Sequence, residues 1–117
     1  MSTLVEQVVA ALTAARDLIL AGHTRCNARV YWFDIASGDD GVNYCAVGAL
    51  AASSPTTRVF DAGIAALRAV LPPRYRRSNV WPCAEVSEYN DAHTTAEVSR
   101  LYQNAIAAVH LAMRSVA

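Results

Sequence analysis

Charge is scarce in this chain, and it cancels. Ten basic and ten acidic side chains leave a formal net charge of zero, so there is no overall basic field to gather nucleic acid or an anionic membrane surface. Long apolar runs are missing as well: none approaches the roughly 20 residues that cross a bilayer. The opening stretch MSTLVEQVVAALTAARDLIL places Glu6 early and lacks a basic start, so it reads as a helix and not as a secretion signal. The three cysteines, Cys26, Cys45 and Cys83, are odd in number and form no CxxC pair, which predicts reduced thiols in a cytoplasm. What the chain does have is apolar residues, 54% of its 117, enough for one domain over residues 1–117 with a single core. Many of them are alanines, which favour helices and allow helix backbones to approach closely.

The apolar spacing predicts five helical regions. The first covers residues 3–21: Thr3 and Glu6 have capping-box spacing, and Leu4, Val5, Val8, Val9, Leu12, Ala15 and Ile19 share one stripe at helical period. Gly22 is read as a left-handed C-terminal cap. The second, YCAVGALAAS at 44–53, is apolar nearly all round and so belongs in the centre, with Asn43 as its cap and Gly48 as a point of close packing. The third starts from Ser54 and Pro55, buries Val59, Phe60, Ile64, Leu67, Val70 and Leu71, and stops at Pro72-Pro73. A short helix in AEVSEYNDAH and a long one from the Thr94/Glu97 capping box to about residue 115 complete the set, the last with Val98, Leu101, Tyr102, Ala105, Ile106, Val109, Ala112 and Met113 on its buried face. Between the first two helices, ARVYWFDIA is rich in β-branched and aromatic residues and SGDDG is a turn. The fold class read from this is mainly α: a bundle of four to five helices with a short strand or hairpin inserted near residues 29–42.

Four constellations invite chemistry. Cys45 stands at a helix start, where the dipole favours thiolate. His93 is a base for it and Asp91 or Asn90 an orienting group, which together would make a cysteine-dependent hydrolase or transferase. The competing reading packs Cys45 in the core as a small hydrophobe and leaves Asn90 and Asp91 to shape a turn. His23, Cys26 and Cys83 are metal-ligand types, but a closed zinc site needs four ligands in recognisable pairs, so no metal and no cofactor are expected. Asp34, Asp39 and Asp40 lie in a segment without the EF-hand layout and are read as a turn. Arg74, Arg76 and Arg77 with Trp81 have the residue types that stack on bases and meet phosphate. The neutral charge speaks against nucleic acid, and the alternative is a solvated connector. Tyr31, Trp32 and Phe33 are consecutive, so in a strand they cannot all face inward, and an exposed aromatic is a typical anchor for a partner.

The segments YCAVGAL and YNDAHTTAEVSRLYQNAIAAV resemble a family of small bacterial and phage domains of unknown function. The residues that carry the resemblance are Tyr44, Cys45, Ala46, Gly48, Ala49 and Leu50, then Asn90, Asp91, Thr95 and Val98, within a span of residues 5–112. Tyr44 departs from the tryptophan more usual at that position, and His93 is not part of the pattern. The resemblance implies a fold and no activity. It also implies that Asn43, Cys45, Gly48, Asn90 and Asp91 form one structural unit in which Asn90 or Asp91 hydrogen-bonds the start of the Cys45 helix.

The expectation is therefore a non-catalytic bacterial or phage accessory protein of the cytoplasm that binds another protein, or a second copy of itself, and no membrane. Its binding residues are Tyr31, Trp32, Phe33, Arg74, Arg76, Arg77 and Trp81. The alternative is the cysteine enzyme built on Cys45, His93 and Asp91.

Overall fold

The computed structural model describes residues 3–24, 44–76 and 82–116. They form five α-helices, α1 (Leu4–Ala21), α2 (Ala46–Ser53), α3 (Thr57–Ala69), α4 (Pro82–Ala92) and α5 (Thr95–Val116), with a 3-10 turn at Pro73–Tyr75. The strand or hairpin expected near residues 29–42 lies outside the described residues. Among the described residues the one β feature is a parallel bridge between His23 and Tyr44.

α1 begins with the expected capping box: the Glu6 N–H donates to the Thr3 hydroxyl at 3.1 Å and the Thr3 N–H donates to the Glu6 carboxylate at 3.2 Å. The Thr3 N–H, and with it the Thr3 hydroxyl donating to the same carboxylate at 3.0 Å, hold the Glu6 carboxyl below its ordinary range. The helix buries Val8, Ala11, Leu12, Ala15 and Ile19. Val5, placed on that stripe from the spacing, is 37% exposed. Gly22 ends the helix in extended backbone, with φ −175°, and not in the left-handed cap expected of it. The cause is a pairing with a distant segment: the Gly22 carbonyl accepts the Tyr44 N–H at 2.8 Å, while the Thr24 N–H donates to the Tyr44 carbonyl at 3.1 Å. A left-handed turn would have pointed the chain away from that bridge.

α1 packs against α5, α2 and α3. Arg16 on α1 meets Gln103, and His23, just past the end of α1, meets Thr95 at the start of α5, so these two helices run antiparallel. α2 sits inside: Ala46, Val47, Gly48, Ala49 and Leu50 are all buried, as an all-round apolar helix requires. α3 is capped by Thr56, whose hydroxyl accepts the Val59 N–H at 3.1 Å; Ser54 and Pro55 fall before the helix. α3 also carries the close packing point: a Cβ added to Gly63 would stand 2.9 Å from Leu50 Cδ2, so glycine here lets α2 and α3 meet. α4 opens on Pro82, earlier than the sequence pattern suggests and with proline in the first turn, where its missing donor is harmless.

α5 buries Val98, Leu101, Tyr102, Ala105 and Ile106. Its apolar stripe continues in sequence to Met113, but Met113 is 41% exposed and Leu111 is also exposed. The last turns run past the core that α1, α3 and α5 share. No helix among the described residues is long and apolar enough to cross a membrane.

Candidate functional site

Two sites emerge, a polar clasp at the start of α2 and a cleft beside α5. The clasp centres on Asn90, on α4 and 1% exposed. Its Oδ1 accepts the Ala46 N–H at 3.0 Å and meets His23 Nε2 at 2.7 Å. Its Nδ2 donates to the Thr24 carbonyl at 3.1 Å and to Asp91 Oδ1 at 3.0 Å. Because a backbone N–H points at one end of the amide and a carbonyl at the other, the orientation of Asn90 is fixed by its partners. His23 Nε2 must then carry a proton, since Oδ1 can only accept. In the neutral imidazole Nδ1 is an acceptor, and it faces the Thr95 hydroxyl at 3.0 Å.

The hydrogen bond that the family resemblance implied between Asn90 and the start of the Cys45 helix is thus present. Cys45 itself is the N-cap: its Sγ accepts the Gly48 N–H at 3.3 Å, and the residue is 7% exposed. The cap assigned to Asn43 from sequence lies outside the described residues. Tyr102, fully buried on α5, donates its hydroxyl to the Ala46 carbonyl. Both backbone polar groups of Ala46 are therefore met by side chains from other helices.

Among the described residues no hydrogen bond joins Cys45 to His93. His93 Nδ1 is bonded to the Tyr89 carbonyl at 2.7 Å, and the ring lies flat on the Tyr89 ring at 3.8 Å between centroids. The histidine at the clasp is His23. The physical reason is local: four residues past Tyr89, His93 closes the end of α4 and stacks back on the preceding turn. Asp91 belongs to the clasp, through Asn90. Of the metal-ligand types, Cys26 lies outside the described residues. Among the described residues no group of His, Cys, Asp and Glu is arranged to hold a metal ion. Cys83 is a free, half-buried thiol pushed up to about 11 by burial and by the charge of Asp61.

The second site is a cleft of about 290 Å³ lined by Val70, Pro72, Tyr89, Ala96, Glu97, Arg100, Leu101 and Asn104. Of this lining Leu101 is buried, Val70, Pro72 and Tyr89 are half-buried, and Ala96, Glu97, Arg100 and Asn104 are exposed. Glu97 is spoken for: it accepts the Thr94 N–H at 2.9 Å in the α5 capping box, which lowers its carboxyl below the ordinary range. One wall continues into an aromatic group, with Tyr75 edge-on to Tyr89 at 5.4 Å and to His93 at 5.7 Å. Burial first, then Glu97 and Tyr75, push the Tyr89 phenol up. Arg74 lies over the Tyr75 ring at 5.0 Å. Of the binding residues read from sequence, Arg74 and Arg76 are exposed here, on and just after the 3-10 turn. Tyr31, Trp32, Phe33, Arg77 and Trp81 lie outside the described residues. Sequence reasoning missed the cleft, because its lining comes from three separated segments, and it missed the role of His23.

The two patches that carried the family resemblance, YCAVGAL and the Asn90-Asp91 turn, meet in space at Ala46. The chain belongs to the DUF6197 family, a family of unknown function. The family model matches residues 4–108, which takes in the clasp and the cleft and all but the last turns of α5. Comparison with curated proteins and with solved structures finds no match. Membership in DUF6197 thus supplies a unit of fold and no assigned activity.

Proposed function

We propose that this DUF6197 chain is a binding protein, a single-domain bacterial or phage accessory factor of the cytoplasm, and that it takes a short segment of a partner protein in the cleft between α3, α4 and α5. The observation that carries this reading is the make-up of the cleft: apolar Val70, Pro72 and Leu101 beside Tyr89, with Arg100 exposed in the lining and Arg74 on the adjoining aromatic wall. A cleft that combines apolar and polar lining suits one buried side chain and a fixed orientation. The one acidic group of the lining, Glu97, is engaged in a helix cap, which leaves the guanidinium groups to select the flanks. The chemistry recognised is an aliphatic side chain flanked by carboxylates.

The test is a titration of the labelled protein with an acetylated Asp-Leu-Asp-Leu-Asp peptide, followed by amide chemical shifts. Shifts confined to Val70, Tyr89, Ala96, Arg100 and Asn104, and lost in Arg100→Glu, are expected. Shifts scattered over the surface, or a response unchanged in Arg100→Glu, reject the reading.

A further inference from the structure

The clasp holds a second arrangement that binding does not use. Thr95, His23 and Asn90 form a chain of hydroxyl, imidazole and amide: 3.0 Å from Thr95 Oγ1 to His23 Nδ1 and 2.7 Å from His23 Nε2 to Asn90 Oδ1. This is the geometry of a nucleophile, a general base and an orienting group, which is recognised by distances and roles and not by sequence order. We propose that Thr95 is an acyl-accepting nucleophile and that this site hydrolyses small activated esters.

Three features of the site support it. Asn90 is immobilised by Ala46, Thr24 and Asp91, so the imidazole is held with its free nitrogen toward the hydroxyl before any substrate arrives. The hydrogen bond from Asn90 to Asp91 polarises the amide and makes Oδ1 a better acceptor for the imidazole N–H. Thr95 is the first residue of α5. The α5 cap engages the N–H groups of Glu97 and Val98, through the Thr94 hydroxyl and carbonyl, and those of Thr95 and Ala96 have no acceptor among the described residues. Two N–H groups without such an acceptor, that of the nucleophile itself and that of the next residue, are available to an oxyanion formed there. His23 and Thr95 both remain half-buried and not sealed.

The reaction balances with water as the co-reactant. Thr95 Oγ attacks the acyl carbon while its proton passes to His23 Nδ1. The bond from carbon to the leaving oxygen breaks, and that oxygen takes the proton from His23. Water then attacks the acyl-threonine, giving a proton to His23 Nδ1. The acyl–Oγ bond breaks, the acid departs, and Thr95 recovers its proton. Asn90 is a positioning residue and touches no reacting atom.

The experiment uses the full chain and p-nitrophenyl acetate. A burst of p-nitrophenolate stoichiometric with protein is expected, with the acetyl group found by peptide mass spectrometry on Thr95. The chain contains no lysine, so the competing acceptors are few, chiefly the N-terminal amine, the cysteines and the tyrosines. Thr95→Val should lower the acylation rate by about a hundredfold or more, as loss of a positioned acid–base pair does, and Thr95→Ser should retain it. The imidazole nitrogen shifts of His23 should report the Nε2–H form in the native chain and a mixture of tautomers in Asn90→Ala. An acetyl group found elsewhere than Thr95, no burst at all, or a burst undiminished in folded Thr95→Val overturns the proposal. If Thr95→Val does not fold, the location of the acetyl group on the native chain decides alone.

Discussion

Asn90 ties Ala46, His23, Thr24 and Asp91 together, and its removal has a calculable cost. In Asn90→Ala the Ala46 N–H loses its partner inside the protein, where an unsatisfied donor costs about 1–3 kcal/mol. The Thr24 carbonyl and the His23 N–H lose theirs as well, but both are half-buried, so water replaces part of what they lose. With the cavity left by the amide, the total is about 3–5 kcal/mol, against a stability of roughly 5–15 kcal/mol for a natural domain. Urea unfolding followed by circular dichroism measures it, with the midpoint falling at an unchanged slope. Asn90→Asp refines the test because it keeps the shape. One carboxyl oxygen still accepts from Ala46 and His23. The other replaces Nδ2 and stands near the Thr24 carbonyl and Asp91 Oδ1, where the amide donates at 3.1 and 3.0 Å. Ionised, it meets two acceptors; protonated, it donates to one of them. The introduced carboxyl is therefore raised above its unfolded value. A raised folded value means stability that is present below the unfolded pKa, about 3.9 for aspartate, and lost as pH rises through the folded one. The deficit of Asn90→Asp relative to the native chain should shrink on acidification from about pH 7 to about pH 4, while that of Asn90→Ala should stay nearly constant. A loss under about 1 kcal/mol in Asn90→Ala, the worth of an ordinary exposed hydrogen bond, would refute the reasoning, as would a pH-independent deficit in Asn90→Asp.

Other sites give shorter tests. Tyr102→Phe removes the hydroxyl that serves the Ala46 carbonyl and should cost about 1–2 kcal/mol in the same urea assay. Gly63→Ala gains about 1 kcal/mol of helix propensity but drives a methyl to 2.9 Å from Leu50 Cδ2. Leu50 is fully buried, so overpacking of about 1–3 kcal/mol wins. A net loss of about 1 kcal/mol is expected, with Leu50→Val in the same chain recovering part of it as a non-additive term. Cys83, held at about 11 by burial and Asp61, should react with iodoacetamide some hundredfold more slowly at neutral pH than an ordinary thiol of pKa about 8.5. Its rate should climb toward pH 11, and Asp61→Asn should speed it at neutral pH.

How much of the fold was legible in the sequence depended on range. The capping boxes of α1 and α5 are local, each needing one threonine and one glutamate three residues on, and both form. The buried stripe of α3 is local too, and all of it but the half-buried Val70 is inside. The cap of α3 was misplaced because Ser54, Pro55 and Thr56 are all competent starters, and the choice rests on where the α2 chain ends: Ser54 is still bonded to α2, its hydroxyl donating to the Leu50 carbonyl. Gly22 departs from its local pattern because its conformation is set by Tyr44, more than twenty residues further on. His23 invited only a metal-ligand reading and gave no signal of the clasp. A histidine just past a helix end has no period and no cap role, and only the path of the chain brings it to Asn90 and Thr95.

Cys45 shows how a pattern can be visible while its meaning is not. A helix of eight residues cannot stand alone, because nucleation costs more than so short a ladder returns, and a sulfur is a weak acceptor for a cap. The start of α2 must be secured from outside, and it is: Asn90 takes the Ala46 N–H and Tyr102 serves the Ala46 carbonyl. The same amide reaches the Thr24 carbonyl, and Thr24 and Gly22 are bonded to Tyr44. One side chain thus fixes the point where the chain leaves α1 and the point where it enters α2. That double duty accounts for why the two specific patches of sequence lie so far apart and yet belong to one unit. It also places the imidazole of His23 between the two, held by Asn90 on one side and open to the Thr95 hydroxyl on the other. A core that needs Asn90 for its own stability has, with no further residue, preorganised a base beside a nucleophile.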